Sequence, residues 1–138
     1  MQMHASCAAR NGHAVLLIGA SGSGKSDLLL RLLDHGFTLV ADDRVDIHDG
    51  TARPPAALAG LLEIRGLGIV RLPYQAPVRL ALAVRLATGP RLPEPARHAE
   101  LDLPLIAIDP AMASAAARVA VALDCATGRL LQHAGAFA

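Results

Sequence analysis

Eight consecutive residues, Gly19-Ala20-Ser21-Gly22-Ser23-Gly24-Lys25-Ser26, fit the pattern G-x-x-x-x-G-K-[ST] in full. Glycines at 19, 22 and 24 let the backbone approach a ligand closely and turn its N–H groups toward one polyphosphate. Lys25 is placed to neutralise β/γ oxygens, and the Ser26 hydroxyl to meet Mg²⁺. Two further groups carry acid–base and charge chemistry. Asp42-Asp43 offers adjacent carboxylates, one for Mg²⁺ and one to accept a proton from an attacking hydroxyl. Glu63-Ile64-Arg65 sets a carboxylate and a guanidinium on one side of an extended segment, the first suited to a metal shell and the second to phosphate oxygens. His4 stands alone in sequence; a histidine beside a carboxylate can share its proton. His13, His35, His48, His98 and His133 show no metal-ligand spacing.

The elements around these residues are legible in the first half. The apolar run 14–18 reads as a buried strand leading into the loop, and leucines 28, 29, 32 and 33 line one face of a helix over 25–33, with Gly36 just beyond its end. The positive end of that helix adds to the attraction for phosphate. Residues 37–41 read as a second strand ending at Asp42-Asp43, at the sheet edge that faces ligands in open α/β sheets. Asp49-Gly50 between 45–48 and 51–53 predicts a hairpin. Further on, the pattern predicts a short helix over 56–62, a strand over 78–86, a Pro-rich mobile loop over 88–100 and a strand over 103–108. It then predicts a helix over 111–123, capped by Asp109 with Pro110 at its first position. The expected fold is α/β, a mixed sheet with flanking helices, in one domain over 1–138.

Composition narrows the function class. Of the 138 residues 53% are apolar, yet Phe37, Tyr74 and Phe137 are the only aromatics, so the core is built from Leu, Val, Ile and Ala. With a net charge of +1 and no aromatic platform, the chain lacks the features of a nucleic-acid binder. No apolar run reaches membrane-spanning length. Cys7 and Cys125 make no disulfide framework and read as thiols in a reducing, cytoplasmic setting.

Taken together, Met3-His4-Ala5-Ser6, the glycine-rich loop, Leu39-Val40-Ala41-Asp42-Asp43-Arg44-Val45 and Leu62-Glu63-Ile64-Arg65-Gly66-Leu67-Gly68-Ile69 resemble the catalytic domain of the HPr kinase/phosphorylase family. The resemblance covers residues 3 to about 70. It implies a P-loop core similar to phosphoenolpyruvate carboxykinase, ATP and Mg²⁺ as cofactors, and phosphorylation of a serine on the phosphocarrier HPr or a related nitrogen-branch carrier. It also implies roles by position. Asp42 is the carboxylate that deprotonates the serine, with His4 its polar neighbour; Ser26, Asp43 and Glu63 are Mg²⁺ partners; Arg65 assists transfer. The resemblance further implies a catalytic domain without the family's N-terminal domain, and a possible homo-oligomer, the family forming hexamers.

Where family members carry a basic Lys-x-Gly-Arg-Asn-like passage tied to reverse phosphorolysis, this sequence reads Asp109-Pro110-Ala111-Met112-Ala113-Ser114. Weak phosphorolysis is the expectation. Two other classes share the loop: a small-molecule P-loop kinase, which usually adds an arginine-rich lid, and a non-catalytic nucleotide-binding regulator.

Overall fold

A computed structural model describes residues 1–138 throughout. Its strands are β1 (Gln2–Met3), β2 (Ser6–Arg10), β3 (His13–Ile18), β4 (Thr38–Ala41), β5 (Val45–His48), β6 (Thr51–Arg53), β7 (Leu61–Ile64), β8 (Gly68–Arg71), β9 (Val78–Leu86) and β10 (Leu105–Ile108). The helices are α1 (Lys25–Asp34) and α2 (Ala115–Ala126). Eight strands form one mixed sheet in the order β1-β5-β6-β9-β3-β2-β4, with β10 beside β9; β7 and β8 make a separate ribbon. Strands β3 and β10 run parallel to β9, and the other pairings are antiparallel.

The unbroken apolar run of β3 is explained by burial on both faces. Val15 and Leu17 pack with Leu28, Leu29 and Leu32 of α1 and with Val119 and Leu123 of α2. The alternate residues Ala14 and Leu16 join Cys7, Ala9, Val40, Val45 and Leu80 in a second core on the opposite face. Arg10 ties α2 to the sheet: its guanidinium donates to the Asp124 carboxylate at 2.8 Å and to the Ala120 carbonyl at 3.0 Å, and lies 4.9 Å from the Phe37 ring centre.

One long pairing organises the sheet. Residues 1–10 run antiparallel to residues 38–48: Gln2 faces Asp46, Met3 faces Val45, Cys7 faces Ala41 and Ala9 faces Thr38. Between these registers the Ala5 N–H donates to the Asp43 carbonyl at 3.2 Å. The two segments therefore provide both ends of the strand order, and the sheet curls on itself where their ladder bends. That bend falls at His4-Ala5 on one strand and Asp42-Asp43-Arg44 on the other. Strands β4 and β6, far apart in the order, are brought into contact by the curl.

Several expected elements stand where the pattern put them: the strand into the loop, the P-loop helix, the 45–53 hairpin and the 78–86 strand. Others differ. Residues 56–62 do not form a helix; a single 3-10 turn spans Ala56–Leu58, and Gly60, at φ 75°, turns the chain into β7. The C-terminal helix starts at Ala115 rather than 111. Before it the chain makes two short i→i+3 turns, Met112 N–H to the Asp109 carbonyl at 3.2 Å and Ala115 N–H to the Met112 carbonyl at 3.0 Å, while Arg31 holds the Pro110 and Met112 carbonyls from the side and the Asp109 carboxylate accepts from the Ala111 N–H instead of capping α2. Residue preference does not mark the strand β2, because Ser-Cys-Ala-Ala-Arg lacks the β-branched and aromatic residues typical of strands. The signal that announces it is Asn11-Gly12, both at positive φ, which joins β2 to β3 as a tight hairpin.

Cys7 is wholly buried, and burial pushes its thiol well above the ordinary thiol range. As pH rises past that range only the unfolded chain ionises this thiol, so its contribution to stability holds below the ordinary value and is lost above it. A thiol reagent at about pH 8 is expected to modify the half-buried Cys125 promptly and Cys7 only after denaturation. Prompt modification of Cys7 in the native protein would show that the curled sheet opens.

Candidate active site

Three pieces of the fold converge on one cleft of ≈ 860 Å³: the turn before α1, the bend of the long ladder, and the β7–β8 ribbon. Its lining includes His4, Lys25, Ser26, Asp43, Glu63 and Arg65 together with the glycine-rich turn.

Gly24 is the residue before α1 and sits at φ 102°, a conformation that a side chain strongly disfavours. No side chain caps the helix there, so its leading N–H groups are left for a ligand. Lys25 donates to the carbonyls of Gly19 at 2.7 Å and Ala20 at 3.0 Å, folding its charge back over the turn. The turn fits a polyphosphate on two further counts. The Ser23 hydroxyl is buried without a hydrogen-bond partner, and a Cβ at Gly19 would lie 2.4 Å from it, so only glycine leaves that space open.

The two aspartates part company. The Ser26 hydroxyl donates to Asp42 Oδ1 at 2.8 Å, and the Ser6 hydroxyl donates to the same oxygen at 2.8 Å. Asp42 is half-buried and lies behind the cleft wall. Asp43 faces the cleft instead. Its backbone is at φ 67°, and the Arg44 N–H donates back to the Asp42 carbonyl at 2.8 Å, closing a three-residue turn centred on Asp43. Turns of this kind with positive φ are strained and are found disproportionately at functional sites. The turn throws the Asp43 side chain outward, where its Oδ1 lies 3.8 Å from His4 Nδ1, both side chains about two-thirds exposed or more. Ser26 and Asp43, expected together as Mg²⁺ partners, line the same cleft, but the Ser26 hydroxyl bonds to Asp42, because the ladder register points that carboxylate at α1. His4, read from sequence as an isolated residue, stands beside Asp43.

Glu63 and Arg65 reach the cleft because Leu62 is buried against α1 and anchors the ribbon there. Glu63 closes the rim on β7, and Arg65 follows in the turn to β8. No group of three or more His, Cys, Asp or Glu side chains is close enough to form a protein-only metal cage. One hydroxyl and one carboxylate, with phosphate oxygens and water completing the shell, is the donor set that suits Mg²⁺.

The family model for the HPr Serine kinase C-terminal domain matches residues 1–74, which contain every residue just described. This chain belongs to that family. It is 47% identical over 64 residues to the HPr kinase/phosphorylase of Lactobacillus delbrueckii subsp. bulgaricus, covering 43% of this chain and 20% of that protein. It is also 47% identical over 66 residues to that of Clostridium novyi, covering 45% of this chain and 22% of that protein. The matched region spans about a fifth of the length of these curated relatives. Among solved structures, the Hpr(Ser) kinase/phosphatase from Coxiella burnetii superimposes with a TM-score of 0.70 over 96% of this chain and 99% of that one, at 22% identity. That likeness is one of fold, and it bears out the mixed α/β architecture beyond residue 74, where the family match stops.

The strain at Asp43 has a measurable sign. Asp43→Gly is expected to raise stability in denaturant titrations by about 0.5 kcal/mol, since glycine adopts this φ freely but loses more chain entropy on folding. A loss of more than about 1 kcal/mol would mean that the side chain holds the turn rather than being forced by it.

Proposed function

We propose that this chain is a Mg²⁺- and ATP-dependent protein serine kinase that phosphorylates HPr or a related nitrogen-branch phosphocarrier in the cytoplasm. Its catalytic domain spans 1–138 and its P-loop core is akin to that of phosphoenolpyruvate carboxykinase. The observation that carries this reading is the division of labour at the bend: Asp42 tied to Ser26 of the phosphate loop, Asp43 and His4 turned into the cleft that Lys25 shares.

The hydrogen bonds favour a reversal of the two aspartate roles expected from sequence. Ser26 and Asp42 are the pair that would hold Mg²⁺, as a loop serine and strand-end aspartate do in P-loop enzymes. The metal, when bound, neutralises charge on the phosphate oxygens. Asp43 is the base. Its carboxylate accepts the proton of the substrate serine, the serine oxygen bonds to the terminal phosphorus, and the bond to the departing ADP oxygen breaks. His4 keeps the Asp43 carboxylate directed into the cleft. Lys25 leaves its carbonyl partners for the β/γ oxygens, and Arg65 stabilises charge on the transferring group. Glu63 is a further Mg²⁺ partner through water. Phosphoryl transfer of this kind is mostly positioning and charge neutralisation, which these residues supply.

The rim supports a protein substrate over a small molecule. Leu67 and Ile69, at the ribbon end beside Arg65 and Glu63, are 73% and 71% exposed. Large aliphatic side chains left open at a cleft mouth suit contact with a protein surface. No arginine-rich lid closes the cleft. The segment 109–114 packs its Pro110 near Gly24 and carries no basic side chain toward the loop, which supports weak phosphorolysis at most.

Transfer of phosphate from ATP to purified HPr-type carriers, followed by mass mapping of the product, tests the reading; a phosphoserine on a carrier is expected. Lys25→Ala should abolish transfer. Asp43→Asn should lower turnover by at least about a hundredfold while ATP still binds, whereas Asp42→Asn should chiefly raise the Mg²⁺ requirement. No transfer to any carrier would overturn the function, and a rate for Asp43→Asn within about twofold of the parent would overturn its role. Replacing Leu67 and Ile69 together by serine should raise KM for the carrier by about tenfold, roughly the value of two apolar contacts, without changing ATP hydrolysis. Unchanged KM would remove the rim from recognition.

A further inference from the structure

Ser6 has no place in the chemistry described so far, yet it is the one polar side chain in the buried set, at 0% exposure. Its neighbours Ala5, Cys7, Ala8 and Ala9 are all apolar and buried. A hydroxyl among them carries a desolvation cost that alanine or valine would not. The ladder explains where the hydroxyl goes. With Met3 opposite Val45 and Cys7 opposite Ala41, Ser6 falls opposite Asp42. Alternation along β2 puts Ser6 on the same face as Ala8, which packs in the helix-covered core, and so on the side of α1. There it donates to Asp42 Oδ1 at 2.8 Å.

That oxygen accepts twice, from Ser6 behind and from Ser26 in front. Ser26 is the donor on the cleft side, where Mg²⁺-nucleotide would draw on its lone pairs. Ser6 is the donor that nothing in the cleft can reach. We infer that Ser6 is a positioning residue for Mg²⁺: it fixes the Asp42 carboxylate in one orientation, so that Asp42 and Ser26 form a preset pair before metal and nucleotide arrive. A carboxylate held by a charge-assisted bond from a buried donor loses little freedom on binding, and removal of such an outer partner typically weakens metal binding about tenfold or more.

The inference rests on the reading that Mg²⁺-nucleotide occupies the cleft, and its test is a binding measurement. A fluorescent ATP analogue is titrated into the parent, Ser6→Ala and Ser6→Thr, with and without Mg²⁺, and Mn²⁺ binding is followed by electron paramagnetic resonance in the presence of ADP. In Ser6→Ala the affinity gained on adding Mg²⁺ should shrink by about tenfold, with metal-free nucleotide affinity within about twofold of the parent and weaker Mn²⁺ binding. Ser6→Thr, which keeps the hydroxyl, should recover most of the gain. An unchanged Mg²⁺ effect in Ser6→Ala overturns the inference and leaves the kinase reading standing. Equal losses of affinity with and without metal overturn it as well, because they mark general damage to the fold. A parent protein that binds no nucleotide at all would instead bring down the reading on which the inference rests.

Discussion

A single carboxylate oxygen, Asp42 Oδ1, joins the three parts of the molecule that the site requires. Ser6 reaches it from the N-terminal strand, Ser26 reaches it from the phosphate-loop helix, and Asp42 itself ends the strand that follows that helix. Hydrogen bonds to an ionised acceptor are stronger and shorter than neutral ones, and a partly buried site screens them less. The position of Ser26 relative to the ladder, and so the place of the proposed metal pair relative to the proposed base, is set there. The apolar cores hold the sheet and helices together, but they tolerate small shifts of side chains; a doubly accepted carboxylate does not.

The bend of the 1–10/38–48 ladder turns this local contact into a site. A straight antiparallel pair would carry Asp42 and Asp43 to opposite faces, with His4 opposite Arg44 and so on the Asp42 side. Bending at Asp43 costs backbone strain at φ 67° and lifts that carboxylate into solvent beside His4, while its neighbour stays pinned to α1. The same bend curls the sheet and encloses the small-residue core of Ala5, Cys7, Ala9, Ala14 and Leu16. Scarcity of aromatics thus has a structural counterpart: the curl is tight, and its interior is filled by alanine, valine and leucine.

Family membership and fold likeness cover different parts of the chain. The family match ends at residue 74, just after the ribbon that carries Glu63 and Arg65. The remainder provides β9, on which β3 is aligned in parallel, and α2, which Arg10 fastens to the sheet. These later elements support the site without contributing the side chains of the proposed chemistry. That division is consistent with close sequence kinship in the first half and kinship of fold alone across the whole.

The phosphate loop, the helix behind it, the Asp49-Gly50 hairpin and the ribbon's glycine-broken motif were legible from residue order, because each depends on contacts within a few positions. The loop needs glycine where φ is positive, and a helix needs leucines at helical spacing. The alanine-rich strand β2 was hidden, its residues having little strand preference of their own and acquiring it from β3 and β4 on either side. The late start of α2 was hidden for a similar reason: Arg31, some eighty residues away, binds the Pro110 and Met112 carbonyls and holds the segment before the helix in short turns. Most of all, adjacent aspartates look alike in a sequence. Which one is held by Ser26 and which one faces His4 depends on a ladder register between segments nearly forty residues apart, and only the folded chain sets that register.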